Sequence, residues 1–452
     1  TLSSTRKLIK EWIPTVRSTN KPYRLYALSN TGSLLALLSY PFTVEPFWGL
    51  RHQAMAWSGS YIVYALLYVI CAFTFLKKSK PLKRSPSLHR NRAPGWMDRL
   101  LWIILPALGV ILLLATTNKI TDNIAVITLF WSLPLAVYLI SFIIAFAGKM
   151  YERKPGIWAV LTAIALILLS LSFIPSSVDL NDLQLMGILI FVLFIACLHC
   201  HGELHRRKPE QHEYLSAFYL SIATGGAIGG TFVSIIAPTA FNTILEFPFG
   251  LLACAGIVFI SKFIPKPATT NIRQIWIRTA SIIPTCLIAG LIILDIGTEK
   301  DVIMKGRNFF GTFVVNQVPA KGIDDGNPAA MTARSLTHGT TIHGIQVLES
   351  EYSNMITTYY GYNSGIGLLM RHHPLSAKPT LSDQHFNIGV IGLGTGTLAA
   401  YGKPHHRYWF YEIDKDIINL STGPAPVFSF LSDSSAGFIT NIVGDARISI
   451  EK

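Results

Sequence analysis

Nine apolar stretches occupy the first two-thirds of the chain, at about 25–43, 54–76, 100–116, 124–147, 157–175, 184–200, 214–241, 249–264 and 276–296. They limit the fold more than any other feature does. A bilayer hydrocarbon core about 30 Å thick takes roughly 20 helical residues to cross, and within it each backbone N–H and C=O needs a partner in the chain. The stretches lack the alternation of barrel strands, so they predict helices. The stretch at 249–264 is the shortest, at 16 residues.

Composition points the same way. Of 452 residues, 50% are hydrophobic and 14% charged, whereas a soluble domain carries about 25% charged residues. The net charge of +13 is unevenly placed: residues 297–452 hold 12 Lys/Arg and 13 Asp/Glu, leaving 26 basic and 12 acidic residues before them. The excess sits between apolar stretches. Residues 77–92 carry Lys77, Lys78, Lys80, Lys83, Arg84, Arg90 and Arg92 with no acid, 148–156 and 265–278 are basic too, and 201–213 holds the basic run Arg206-Arg207-Lys208 among three glutamates. Loops between them, such as 176–183, are nearly free of Lys and Arg. This pattern predicts a cytoplasmic N-terminus and cytoplasmic basic loops. It does not form the folded basic face that nucleic acid requires, so no nucleic-acid partner is expected.

Nine crossings from a cytoplasmic start would put residue 297 outside the membrane. A domain using a cofactor made in the cytoplasm belongs inside, so the expectation is eight or nine spans. Either a weak stretch, 249–264 or 25–50 with Pro41, Glu45 and Pro46, fails to cross, or a span lies outside this sequence, or the domain lies on the outer side; the first two are favoured. The chain opens on Thr1 rather than Met and shows no signal peptide, so it is expected to be part of a longer product.

Cys71, Cys197, Cys200, Cys254 and Cys286 all lie in or beside apolar stretches, which argues against a disulfide framework. Gly225, Gly226, Gly229 and Gly230 place small residues on one helical face, where another helix can approach closely or a substrate path can run. Glu45 and Asp295, near membrane ends, read as anchors or caps.

After residue 297 the texture changes to short β-like runs, Phe309–Val318 and Thr340–Leu348, with an exposed loop expected at 319–330. The most informative segment runs from Ile388 to Ala399. An apolar strand enters a turn carrying Gly392, Gly394 and Gly396, and a helix is expected to begin there. Twenty residues beyond Gly392, Glu412 closes a second strand at Tyr408-Trp409-Phe410-Tyr411, the spacing of an acid that holds ribose hydroxyls. A third strand, Phe438–Val443, ends in Gly444-Asp445-Ala446, placing Asp445 on the same edge. Three strand ends with suitable polar residues predict a nucleotide site. The Gly-x-Gly-x-Gly form, Glu412-Ile413-Asp414 and the late Gly-Asp-Ala favour S-adenosylmethionine over NAD.

Here the chain resembles the membrane-fused spermidine synthase-like family. In the membrane part the resemblance rests on Leu25-Tyr26-Ala27-Leu28-Ser29-Asn30, Tyr40-Pro41-Phe42, Glu45-Pro46, His201-Gly202-Glu203-Leu204 and Phe218-Tyr219-Leu220. In the soluble part it rests on Arg307-Asn308-Phe309-Phe310-Gly311 and the run from His338 to Gln346. It implies an α-helical polytopic bundle at 1–296, a small β-rich region at 297–380 and a Rossmann-like α/β domain from 381 to 452. The cosubstrate would be S-adenosylmethionine or its decarboxylated form, in contact with Gly392, Gly394, Gly396, Gln346 and Glu412, with Asp445 at the adenine. His343, Tyr359 and Tyr360 would face the acceptor. The sheet and the family's catalytic Asp are expected to continue past Lys452.

Three positions depart from the family. His343, Thr395 and Gly361 stand where soluble spermidine synthases carry acids that hold cationic amines. The resemblance therefore implies a membrane-bound transferase that is not an efficient spermidine synthase, with an unidentified acceptor, in a bacterial-type inner membrane. Two other readings stay open: an accessory subunit of a membrane complex with a vestigial nucleotide domain, and a transporter with a nucleotide sensor.

Among the remaining motifs, Cys197-Leu198-His199-Cys200-His201 has the form of a haem c attachment site. It ends an apolar stretch beside a loop expected in the cytoplasm, the wrong side for haem attachment, and reads as a helix end. His205 and His212 nearby give no firm tetrahedral metal set, so no metal is expected. His372-His373 and His405-His406 read as solvated loop residues.

Overall fold

The computed structural model describes residues 21–78, 93–123, 128–147, 161, 164–165, 168–169, 181–209, 211–263, 301–320, 331–339, 341–377 and 385–451. The basic N-terminus, the loops at 79–92, 148–156 and 265–278, the stretch at 276–296, most of 157–175, Cys286, Asp295 and most of the 319–330 loop lie outside these residues. The chain divides into two compact units, Thr1–Ala237 with Ile244–Gly297, and Pro238–Thr243 with Thr298–Lys452.

The first unit is helical: α1 Lys21–Thr43, α2 Leu50–Lys78, α3 Trp96–Asn123, α4 Thr128–Ala147, α5 Asp182–Arg206, α6 Leu215–Thr231 and α7 Glu246–Phe263. Among the described residues four stretches are long and apolar enough to cross a membrane: Leu50–Thr74, Trp96–Asp122, Asp182–Arg206 and Leu215–Ala240. Ser132–Ala147 is apolar but shorter. This is the composition of a membrane protein, with four candidate spans among the described residues. α1 is helical yet outside the four, because Lys21, Arg24, Ser29, Asn30, Thr31 and Ser33 dilute its apolar character. No side chain from 50 to 74 is buried, and α2 carries a column of rings, Trp57 on Tyr61, Tyr61 by Tyr64 and Tyr64 by Tyr68.

α5 starts cleanly because Asn181 and Gln184 form a reciprocal capping box. Its apolar face packs with α3, α4 and α7, in a core that includes Trp102, Leu105, Leu112, Phe142, Leu193 and Leu251. The glycine cluster sets the closest approach. A Cβ on Gly225 would strike the Ile103 carbonyl, and one on Gly229 the Ala107 carbonyl, so α6 lies backbone to backbone on α3. Gly226 only faces the Val110 side chain, and Gly230 opens to space. α6 continues through a π turn, Phe232–Ile236, into Ala237–Ala240. Pro238 supplies no N–H to the preceding turn, which favours that irregularity.

The second unit holds two sheets. β1 Val302–Asn308, β2 Gly311–Pro319, β3 Thr332–His338 and β4 Thr341–Val347 form an antiparallel meander in sequence order. β5 Phe386–Ile391, β6 His406–Glu412 and β7 Phe438–Val443 form a parallel sheet in the order β5-β6-β7. Alternation decides the buried face: His406, Tyr408, Phe410 and Glu412 of β6 point inward. One core joins Phe313, Val315 and Leu336 of the meander to Leu393, Leu398, Tyr408, Phe410 and Phe428.

The helix expected after the glycine loop is instead a short 3-10 turn, Thr397–Tyr401. It stops because Gly402, with no Cβ, packs where a side chain would lie 2.8 Å from the Ala436 nitrogen, and Pro404 follows two residues later. The next crossover carries a true helix, α8 Lys415–Thr422, capped by Asp414 through the Asp416 N–H.

Candidate functional site

The ends of β5, β6 and β7 meet on one edge of the parallel sheet. The Gly392 N–H donates to Tyr411 O at 2.8 Å, and the Gly444 N–H donates to Glu412 O at 2.9 Å. Between them the loop turns with positive φ at Gly392 (88°), Gly394 (57°) and Gly396 (83°), a conformation that glycine adopts without steric cost. Glu412, 9% exposed, fixes this turn. Its Oε2 accepts the Leu393 N–H at 2.8 Å and its Oε1 accepts the Asp414 N–H at 2.9 Å. These are charge-assisted bonds, and they hold the loop of one strand to the tip of the next.

Space around the loop is uneven. A Cβ on Gly392 would meet nothing within 4 Å, whereas one on Gly394 would lie 3.0 Å from the His343 carbonyl oxygen. Behind the loop, Thr395 and Thr397 are buried and share a 2.8 Å hydroxyl contact. Gly344 of β4 passes so close that a Cβ there would overlap the Thr395 side chain. Thr395 therefore packs against the meander.

Gln346, 2% exposed, sits behind this edge. Its amide donates to Ser353 O at 2.9 Å and to Ser429 Oγ at 2.8 Å, and its Oε1 accepts the Ser429 N–H at 2.9 Å. Ser429 Oγ also lies 2.6 Å from Asp433 Oδ2, as its donor. Asp445 is exposed and caps the last short helix by accepting the Arg447 N–H. The Tyr359 hydroxyl donates to His343 O at 3.3 Å, its ring stacks near Tyr360, and Tyr360 O accepts from the Tyr401 hydroxyl. Gly361 closes the small turn after Tyr360.

The sequence reading passed over His338, Asn308 and Asp414 as site residues, although each lies in a motif already quoted. The His338 and His343 rings are 4.5 Å apart, brought together by the β3–β4 hairpin. Asn308 Nδ2 donates to both Asp414 carboxylate oxygens at 2.8 Å. Burial lowers the His343 pKa, with the Glu412 charge opposing it. Burial lowers His338 further, to about 4, assisted by His343 and opposed by Asp414. Burial thus disfavours the cationic form of both rings.

This pair implies an acid sensitivity. Unfolded His338 takes a proton near pH 6.5, while folded His338 stays neutral to about 4. The unfolded state then binds more protons, and the second unit loses stability as pH falls from about 6.5 toward 4. Protection factors of residues 301–451, corrected for the intrinsic exchange rate at each pH, are expected to fall across that window, with a smaller change in His338→Asn. An equal acid response in both proteins would exclude His338 as a source.

Other motifs resolve differently. His406 is not a solvated loop residue: it opens β6, is fully buried between Phe386 and Tyr408, and lies 3.3 Å from Ser376 Oγ. His373 stacks on Phe386, while His372 is exposed. Cys197 and Cys200 are fully buried in α5, and His201 Nδ1 lies 3.0 Å from Ser141 Oγ between the Tyr138 and Phe142 rings. Helix packing takes up the faces a haem would need. His205 contacts Lys208 at 2.6 Å, and the described residues hold no group of three or more metal-ligating side chains. Glu45 lies exposed in the turn after α1.

Compared with protein-family models, with curated proteins and with solved structures, the chain matches none.

Proposed function

We propose that residues 381–452 belong to a Rossmann-like domain that binds S-adenosylmethionine or its decarboxylated form. On this reading the chain is a membrane-bound transferase of the spermidine synthase-like kind, with eight or nine spans in a bacterial-type inner membrane. The second unit would then lie on the cytoplasmic side. The observation that carries the reading is the glycine turn of β5 braced by Glu412 from β6, with open space at Gly392. Such a turn lets a ligand approach the backbone closely, and the carboxylate keeps lone pairs for a ribose diol.

The ligand supplies a carbon activated by a neighbouring sulfonium. The chain positions it through Gly392, Gly394, Gly396 and Glu412, with Asp445 at the adenine end. His343, Tyr359 and Tyr360 line the acceptor side. A hydrogen bond to a charged group contributes about 1.5–3 kcal/mol, so Glu412→Ala is expected to weaken ligand binding roughly ten- to a hundredfold. The same change frees the Leu393 N–H, which adds loop disorder to the loss. Unchanged affinity would assign the ribose to another residue.

Putrescine is expected to be a poor acceptor. A diamine carries two ammonium groups whose desolvation costs several kcal/mol each unless carboxylates replace the water. The three corresponding positions hold an imidazole at His343, a buried hydroxyl at Thr395 and no side chain at Gly361, none of them an anion. The expected kcat/KM with putrescine and decarboxylated S-adenosylmethionine is below about 10⁴ M⁻¹s⁻¹. A value at or above that level would refute the acceptor assignment.

A second reading, an accessory subunit with a vestigial nucleotide domain, draws on Gln346. Both of its amide hydrogens and its oxygen are engaged by Ser353 and Ser429. That role is structural, and adenosyl-ligand binding separates the two readings.

A further inference from the structure

Two thiols touch across α5 and α7. Cys200 Sγ and Cys254 Sγ are 3.6 Å apart, and both cysteines are free. They are 0% and 6% exposed. The Cys254 sulfur also lies 3.7 Å from the Ala196 carbonyl oxygen. Ala196 is one turn before Cys200, so Cys254 is seated between two turns of α5. Cys197 is not a third member, since its thiol faces α3 and lies 3.8 Å from Gly109 O. The cluster is a pair.

A buried cysteine often serves as a small apolar filler. Filling does not call for two sulfurs in contact from helices 54 residues apart in sequence. A disulfide has an S–S bond of about 2.05 Å, so these sulfurs need an approach of roughly 1.5 Å. The surroundings select the oxidant. Cys200 lies six residues, about 9 Å along the helix, from Arg206. There Glu203 pairs with Arg206 at 2.6 Å and Arg207 at 2.8 Å, and Arg207 reaches Asp98 at 2.7 Å. This charged collar marks the helix end, and the thiols sit below it among apolar side chains. Charged, water-soluble oxidants do not partition there, whereas an uncharged, lipid-soluble two-electron carrier does.

We propose that Cys200 and Cys254 form a redox-active dithiol, oxidised to an interhelix disulfide by a lipid-soluble quinone. Two S–H bonds break and one S–S bond forms, and the two electrons and two protons convert the quinone to its hydroquinone. The product ties α5 to α7. A dithiol reductant reverses the step.

The test uses the full chain in lipid bilayers, treated with a short-chain ubiquinone analogue, molecular iodine or glutathione disulfide, then digested and analysed by mass. The quinone is expected to give a linked Cys200–Cys254 peptide that dithiothreitol dissolves, and glutathione disulfide is expected to give little of it. Cys254→Ser and, independently, Cys200→Ala should lose the linked peptide, while Cys71→Ser should keep it. The proposal is overturned if neither quinone nor iodine gives the link, if iodine alone does, if glutathione disulfide matches the quinone, or if Cys197 is the linked partner.

Discussion

Gly394→Val is expected to abolish adenosyl-ligand binding. Gly394 has φ 57°, and a Cβ there would stand 3.0 Å from the His343 carbonyl oxygen. Valine in a left-handed conformation costs about 1–3 kcal/mol before any contact is counted. The carbonyl belongs to β4 and cannot rotate aside like a side chain, so the loop must move. Movement breaks the 2.8 Å bond between the Leu393 N–H and Glu412, and with it the alignment of the turn and the acid. Titration calorimetry of the variant should give no heat with ligands that bind the parent chain, while the melting of the helical unit stays unchanged. Retained affinity would place the site elsewhere.

Gly229→Leu is expected to disrupt the helical unit. The Cβ would overlap the Ala107 carbonyl, which is backbone rather than the end of a mobile side chain. Overpacking a tight interface costs about 1–3 kcal/mol even where side chains can adjust, and here α6 must leave α3. Gly230→Leu is the matched control, since a Cβ at Gly230 meets nothing within 4 Å. In detergent the Gly229 variant should melt well below the parent and aggregate on size exclusion, and the Gly230 variant should behave like the parent. Equal behaviour of the two would mean that α6 does not pack on α3 through this face.

Legibility followed the range of the interactions. Phe438–Val443 is read from the sequence with the bounds it has in the structure, because a β-rich run ending in Gly444-Asp445 is a local signal. The glycine turn and Glu412 were legible for the same reason: their spacing is written in one crossover. The turn's continuation was not. Whether a helix or a 3-10 turn follows depends on Gly402 packing against Ala436, a contact made 34 residues away. His406 reads as a loop histidine beside His405, yet the burial of β6 takes it into the core. The glycine cluster announced a close helix approach, but only packing on Ile103 and Ala107 decides that Gly225 and Gly229 make it. The Cys-x-x-Cys-His pattern misdirects, because adjacency along the chain hides that Cys197 and Cys200 face different helices.

The central claim is that the glycine turn braced by Glu412 holds an adenosyl ligand. Titration calorimetry of the full chain in lipid with S-adenosylmethionine, decarboxylated S-adenosylmethionine and methylthioadenosine tests it most directly. Saturable binding of at least one of them, weakened in Glu412→Ala and lost in Gly394→Val, is the expected result. Absence of binding by all three to a folded parent chain would contradict it.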